Sequence, residues 1–168
     1  RIGLKGEFQK LNAAIAIKAI EILRNDYKAK IKKSDVKKGL LNAKWPGRLQ
    51  FIAKNILVDC AHNPHGFKVL AGELKNYKHK KLIMVLGFSD DKDIKTISKI
   101  IAPMAYKIIL TKSENERAAE PEKIKGYFNN KNPVLLIFDS HPDCFQNFDY
   151  PMHEDWLKFL VEGNTIKP

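Results

Sequence analysis

Arg48 directly follows a rigid turn, Pro46-Gly47. Shortly after it, Val58-Asp59-Cys60-Ala61-His62-Asn63-Pro64 gathers a carboxylate, an imidazole and a side-chain amide. A guanidinium binds phosphate through a planar fork of donors, and a carboxylate accepts hydrogen bonds from hydroxyls. The pair therefore suits a nucleotide, with Arg48 at its phosphates and Asp59 at its sugar. The second cluster ends an apolar run, Asn55 to Val58, that reads as a strand. In open α/β sheets, ligands bind beyond the carboxyl ends of strands, where this cluster should lie.

The elements that position these residues follow from periodicity. Phe8–Arg24 repeats apolar residues with a helical period, giving a broad apolar face. Ser34 is expected to cap a second helix through Leu41, with Asp35 favourable in its first turn. Pro46-Gly47 breaks helix, and from there strands and helices alternate. Strands are expected at Leu49–Ile52, Ile56–Asp59, Lys81–Gly87, Tyr106–Leu110 and Val134–Phe138. Helices are expected at Pro64–Tyr77, Asp91–Ile101 and Pro121–Phe128. Such alternation predicts an α/β fold with a mostly parallel sheet covered by helices on both faces.

Residues beyond this pair add to the pattern. Gly3-Leu4-Lys5-Gly6-Glu7-Phe8-Gln9 precedes Asn12-Ala13-Ala14, and Gly87 precedes Asp91-Lys92-Asp93. With Trp45-Pro46-Gly47-Arg48-Leu49 and the Asp59–Pro64 run, they stand in the order found in one family. The chain resembles the C-terminal part of folylpolyglutamate synthases and dihydrofolate synthases, members of the Mur ligase superfamily. The likeness fades after Arg117-Ala118.

That resemblance implies a Rossmann-like domain, preceded by the last helices of a central ATPase domain. Its implied boundaries are 1–44 for those helices, 45–133 for the glutamate ligase domain, and 134–168 for an atypical end. It implies an ATP-dependent ligase that adds L-glutamate to folate or dihydropteroate through an acyl phosphate, with Mg²⁺. Asn12 matches the residue that contacts adenine, Arg48 the arginine at a terminal phosphate, and Asp59 the ribose carboxylate. His62 matches a residue that orients glutamate, and Lys92 one that contacts the amino acid or acyl phosphate. Ser113 and Arg117, in a similar strand-following loop, extend the glutamate contacts. Phe8-Gln9 stands where the family usually has His-Gln.

No G-x-x-x-x-G-K-[ST] run occurs, so the phosphate loop and most magnesium ligands would lie elsewhere. The chain is therefore expected to be a fragment without ligase activity by itself. Another amino-acid ligase of the superfamily is the nearest alternative.

Each residue also has a plainer role available. Asn12 could be an exposed helix residue, Arg48 a surface ion-pair partner, and Asp59, Asp91 or Asp93 a helix cap. Cys60 reads as a small residue packed beside the site.

The end of the chain departs from the family. Leu135-Leu136-Ile137-Phe138 leads into Asp139-Ser140-His141-Pro142-Asp143, where Asp139, His141 and Asp143 resemble the metal-binding motif of arginase-like hydrolases. Alternate side chains of an extended segment point the same way, so the three could converge on Mn²⁺ or Zn²⁺. A truncated metal-dependent hydrolase segment after residue 133 is thus a second alternative.

Composition narrows the classes. The chain has 168 residues, 44% hydrophobic and 29% charged, which suits a globular domain. Its longest apolar run, Leu82–Phe88, is too short to cross a bilayer. Cys60 and Cys144 are too few for a disulfide framework, so a reducing cytoplasm is expected. A net charge of +11 raises nucleic acid as a partner, but only four of the 30 basic residues are arginines. Aromatic residues do not interleave with the basic ones as single-strand binders require. A solvated basic face that attracts ATP and polyglutamate is the better account, and a monomer is favoured.

Overall fold

A computed structural model describes residues 1–131 and 134–135 of the chain. Helix α1, Gln9–Asn25, and helix α2, Lys33–Asn42, come first. Strands β1, Gln50–Ala53, and β2, Ile56–Val58, pair antiparallel as a hairpin. Helix α3, Pro64–Leu74, leads to β3, Ile83–Gly87; helix α4, Ile94–Ile101, leads to β4, Lys107–Thr111. A short helix α5, Pro121–Ile124, runs into a 3₁₀ segment, Lys125–Lys131, before β5, Val134–Leu135.

The expected α/β class holds. Strands β3, β4 and β5 form a parallel sheet in that order, joined through helices as parallel strands require. The first two expected strands pair with each other instead of continuing that ladder. The short Lys54-Asn55 connection can close only an antiparallel pair.

The core explains why the middle of the chain folds this way. Ile97 and Ile101 of α4, Ile108 and Leu110 of β4, and Phe128 are almost wholly buried. Ile94, Ile97 and Ile101 lie on one face of α4, at the helical spacing. Phe67 of α3 meets Phe88, just beyond β3, with ring centroids 5.9 Å apart. Phe88 in turn stacks on Phe128 at 6.2 Å. This aromatic line puts the start of α3 at the same end of the molecule as the loop after β3.

Helix α1 differs. Only Gln9 and Ala13 are buried in it, while Leu11, Ile15 and Ile22 are exposed. Its apolar face is present as expected, but apart from Ala13 and the side turned to α2 it is uncovered by the described residues. Ser34 does not cap α2. The helix starts earlier, at Lys33, and Asp35 accepts the Lys32 N–H at 3.0 Å. Among the described residues, no helix is long and apolar enough to cross a membrane.

Candidate functional site

The turn carrying Arg48 is an unusual piece of backbone. Gly47 has φ +69° and Leu49 φ +42°, so both flank Arg48 in left-handed conformations. Glycine adopts this region freely, whereas leucine gives up roughly 1–2 kcal/mol. Leu49 is compensated by a side chain that is only 1% exposed and by a hydrogen bond from its N–H to Asp59 Oδ2 at 3.0 Å. Gly47 donates to Gln50 Oε1 at 2.8 Å, and its carbonyl accepts the Cys60 N–H at 2.8 Å.

Asp59 is the organising residue. Its second oxygen, Oδ1, accepts the Ala61 N–H at 2.9 Å. One carboxylate therefore binds the residue after Arg48 and the residue before His62. It does not cap the next helix: Asn63 does, accepting the Gly66 N–H at 2.8 Å, with Pro64 in the first turn of α3. A carboxylate has about four acceptor positions, and two remain for a ligand's hydroxyls.

Arg48 itself is exposed and forms no ion pair among the described residues. His62, also exposed, places Nδ1 3.0 Å from the Cys60 carbonyl oxygen. A carbonyl can only accept, so Nδ1 carries the proton and Nε2 is left for a ligand. Cys60 is half-buried between the two turns, as a packing residue would be. Arg48, Asp59 and His62 are thus brought into one place by backbone bonds.

Lys92, Ser113 and Arg117 form a second group at the carboxyl ends of the parallel strands. The loop after β3 and the loop after β4 are stitched together. Asp90 N–H donates to the Arg117 carbonyl at 2.9 Å, and Ala119 N–H to the Phe88 carbonyl at 2.8 Å. Lys92 Nζ donates to Asp91 Oδ2 at 2.6 Å, and the Arg117 guanidinium lies 3.5 Å from Asp91 Oδ1. The hydrogen bond from Lys92 holds the Asp91 carboxyl below its ordinary value of 3.8, and Arg117 adds to this. Asp93 caps α4 by accepting the Thr96 N–H at 3.0 Å, and its bonds from Thr96 lower its pKa as well. Ser113 is buried, and its hydroxyl accepts the Asn115 N–H at 3.2 Å, which shapes the loop before Arg117.

Asn12 stands apart, exposed on α1 and donating to Gln9 Oε1 at 2.9 Å. Asp139, His141 and Asp143 lie outside the described residues. Among the described residues, no three His, Cys, Asp or Glu side chains gather as metal ligands. They do not fit a Mg²⁺ site of their own.

Two features escaped the sequence reading. Asp91 is the anion that pairs Lys92 with Arg117, and Glu73 is a buried carboxylate accepting the Glu7 N–H at 2.6 Å. Glu73 could have been flagged, because it falls on the apolar face of α3 set by Phe67, Leu70 and Leu74.

Comparison with known proteins supplies the family. The signature of the Mur ligase, glutamate ligase domain, matches residues 47–154. The dihydrofolate synthase/folylpolyglutamate synthase of Bacillus subtilis is 30% identical over 122 residues, covering 71% of this chain and 28% of that protein. The Mycobacterium tuberculosis folylpolyglutamate synthase complexed with ADP superposes with a TM-score of 0.70 at 25% identity, covering 81% of this chain and 31% of that one. A UDP-N-acetylmuramoyl-L-alanyl-D-glutamate–2,6-diaminopimelate ligase of Clostridium perfringens is 31% identical over 107 residues, covering 58% of this chain and 22% of it. The chain spans between about one seventh and one third of the length of the curated relatives it matches. With the signature running through more than half of its residues, this chain belongs to the Mur ligase family and carries its glutamate ligase domain.

Proposed function

We propose that this chain is the nucleotide- and glutamate-contacting part of an ATP-dependent folate–glutamate ligase. The observation that carries this reading is the double hydrogen bond of Asp59, which gathers Arg48 and His62 at one surface. Relatives named as folylpolyglutamate and dihydrofolate synthases support the substrate class, and the ADP complex of the mycobacterial enzyme supports the nucleotide.

In this reading a folate or dihydropteroate carboxylate attacks the terminal phosphorus of ATP, forming an acyl phosphate and releasing ADP. The glutamate amine then attacks the acyl carbon, and phosphate leaves. Arg48 meets the terminal phosphate and stabilises charge as it develops there. Asp59 accepts ribose hydroxyls with its remaining lone pairs, and Asn12 meets the adenine. The start of α3 receives a glutamate carboxylate, and His62 Nε2, an acceptor in this tautomer, takes a hydrogen bond from the glutamate ammonium group. Lys92, Ser113 and Arg117 hold the other end of the amino acid, with Asp91 keeping both cations in place. Residues 1–44 belong with an ATPase domain, a reading supported by the uncovered part of the apolar face of α1, and residues 45–133 form the ligase domain. Mg²⁺ would be held by that other domain, and the enzyme would work in the cytoplasm.

A second reading, another amino-acid ligase of the superfamily, is favoured by the likeness to the clostridial diaminopimelate ligase. The test is a fusion of this chain behind the N-terminal part of the Bacillus subtilis relative. ATP- and glutamate-dependent extension of a folate, lost in Arg48→Ala and Asp59→Ala, is the expected result. Full activity in the double variant would overturn the site. Extension with diaminopimelate in place of glutamate would favour the second reading.

A further inference from the structure

We propose that Glu73 is a positioning residue for Arg48. It holds the segment before α1 across the root of the Arg48 turn. The proposal rests on the reading that Arg48 meets a nucleotide phosphate.

Three consecutive residues of that segment touch the ligase domain, two of them at the turn and the strand that leaves it, the third at the end of α3. Lys5 Nζ lies over the Phe51 ring, 4.4 Å from its centroid. Gly6, at φ +103°, lies against Leu49 so closely that a Cβ there would sit 2.8 Å from Leu49 Cδ1. Glu7 donates its N–H to Glu73 Oε1 at 2.6 Å. Glu73 is only 8% exposed. A buried carboxylate needs a donor to offset its desolvation, and this backbone N–H is one.

The consequence reaches the turn through Leu49. Its left-handed φ is held by the Asp59 bond to its N–H, while its buried side chain packs against Gly6. Glu73 fixes Gly6 by fixing its neighbour. Helix α1 starts two residues after Glu7, so the same strap sets Asn12 relative to Arg48. A tether that served stability alone could anchor anywhere on the domain. This one converges on the one strained non-glycine residue next to Arg48.

The experiment follows amide hydrogen exchange by NMR, and the affinity for a non-hydrolysable ATP analogue by calorimetry, in the full chain. Its variants are Glu73→Ala, Glu73→Gln and Glu73→Asp. In Glu73→Ala, the Glu7 and Leu49 amides should each exchange at least about tenfold faster while the β4 amides stay protected. The ATP analogue should bind about tenfold more weakly. Glu73→Gln keeps a carbonyl acceptor and should restore both readouts. If Glu73→Ala loses β4 protection, Glu73→Asp, whose shorter reach breaks the bond, decides by the same readouts. Release of Glu7 with unchanged Leu49 exchange and unchanged affinity for the ATP analogue would overturn the proposal. Failure of the unmutated chain to bind the analogue would instead count against the nucleotide reading, and Leu49 exchange alone would then decide the role of Glu73.

Discussion

Replacing Asp59 removes two backbone anchors at once, and their cost can be worked from the structure. Oδ2 accepts the Leu49 N–H at 3.0 Å and Oδ1 the Ala61 N–H at 2.9 Å. A hydrogen bond to a charged acceptor contributes about 1.5–3 kcal/mol, and the half-buried setting of Asp59 favours the lower end. Asp59→Ala should therefore destabilise the chain by about 3 kcal/mol. Asp59→Asn keeps one acceptor oxygen but turns an NH₂ toward the other N–H, so about half that loss is expected. Urea unfolding measures both, and the midpoint should fall at an unchanged slope. The Leu49 and Ala61 amides should lose exchange protection together in the alanine variant. Alanine and asparagine variants as stable as the unmutated chain would refute the reasoning, because Asp59 would then not be holding the two turns.

Other outcomes follow from the same geometry. Arg48→Ala should leave the urea midpoint unchanged, since Arg48 is exposed, yet weaken binding of a non-hydrolysable ATP analogue on the order of ten- to a hundredfold in calorimetry. Asn63→Ala removes the α3 cap and should cost about 1 kcal/mol in urea unfolding. Gly6→Ala places a Cβ against Phe8 and Leu49 at a φ of +103°, so thermal unfolding should show a clearly lowered midpoint. Asp91 and Asp93 both have folded pKa values below the ordinary 3.8. A depressed carboxyl stabilises the fold above its unfolded value, and that contribution disappears as pH falls through the lower folded value. Acid unfolding below about pH 4 should accordingly be less steep in an Asp91→Asn, Asp93→Asn variant. Identical acid profiles would argue against those contacts.

Much of this was legible in the chain because local chemistry decided it. Pro64 marked the start of α3, though its cap is Asn63 where Asp59 was the candidate, and α4 starts at Ile94 behind Asp93, three residues later than the expected start at Asp91. The apolar runs of β3 and β4 reported a parallel pair, but only β4 is buried along most of its length: Ile83 and Val85 of β3, in a strand expected to be buried, are exposed. Arg48 and Asp59 stood out because their types suit a nucleotide. What the sequence concealed was which groups already had partners. That Asp59 would spend both oxygens on backbone N–H groups depends on a left-handed Leu49, a conformation no leucine advertises. Nor does periodicity reveal that the first two strands would pair only with each other. The Asp91 bridge between Lys92 and Arg117 joins loops far apart in sequence and needed the sheet to assemble it.

The central claim is that one surface, built on Asp59, receives a nucleotide at Arg48 and Asp59, beside His62. Titrating a non-hydrolysable ATP analogue into the isotopically labelled chain and following its amide NMR signals tests that most directly. Saturable shifts should concentrate at Gly47–Leu49 and Asp59–Asn63, and should vanish in Arg48→Ala. Shifts confined to other residues, such as the groove between α1 and α2 lined by Arg24 and Lys37, would contradict the account.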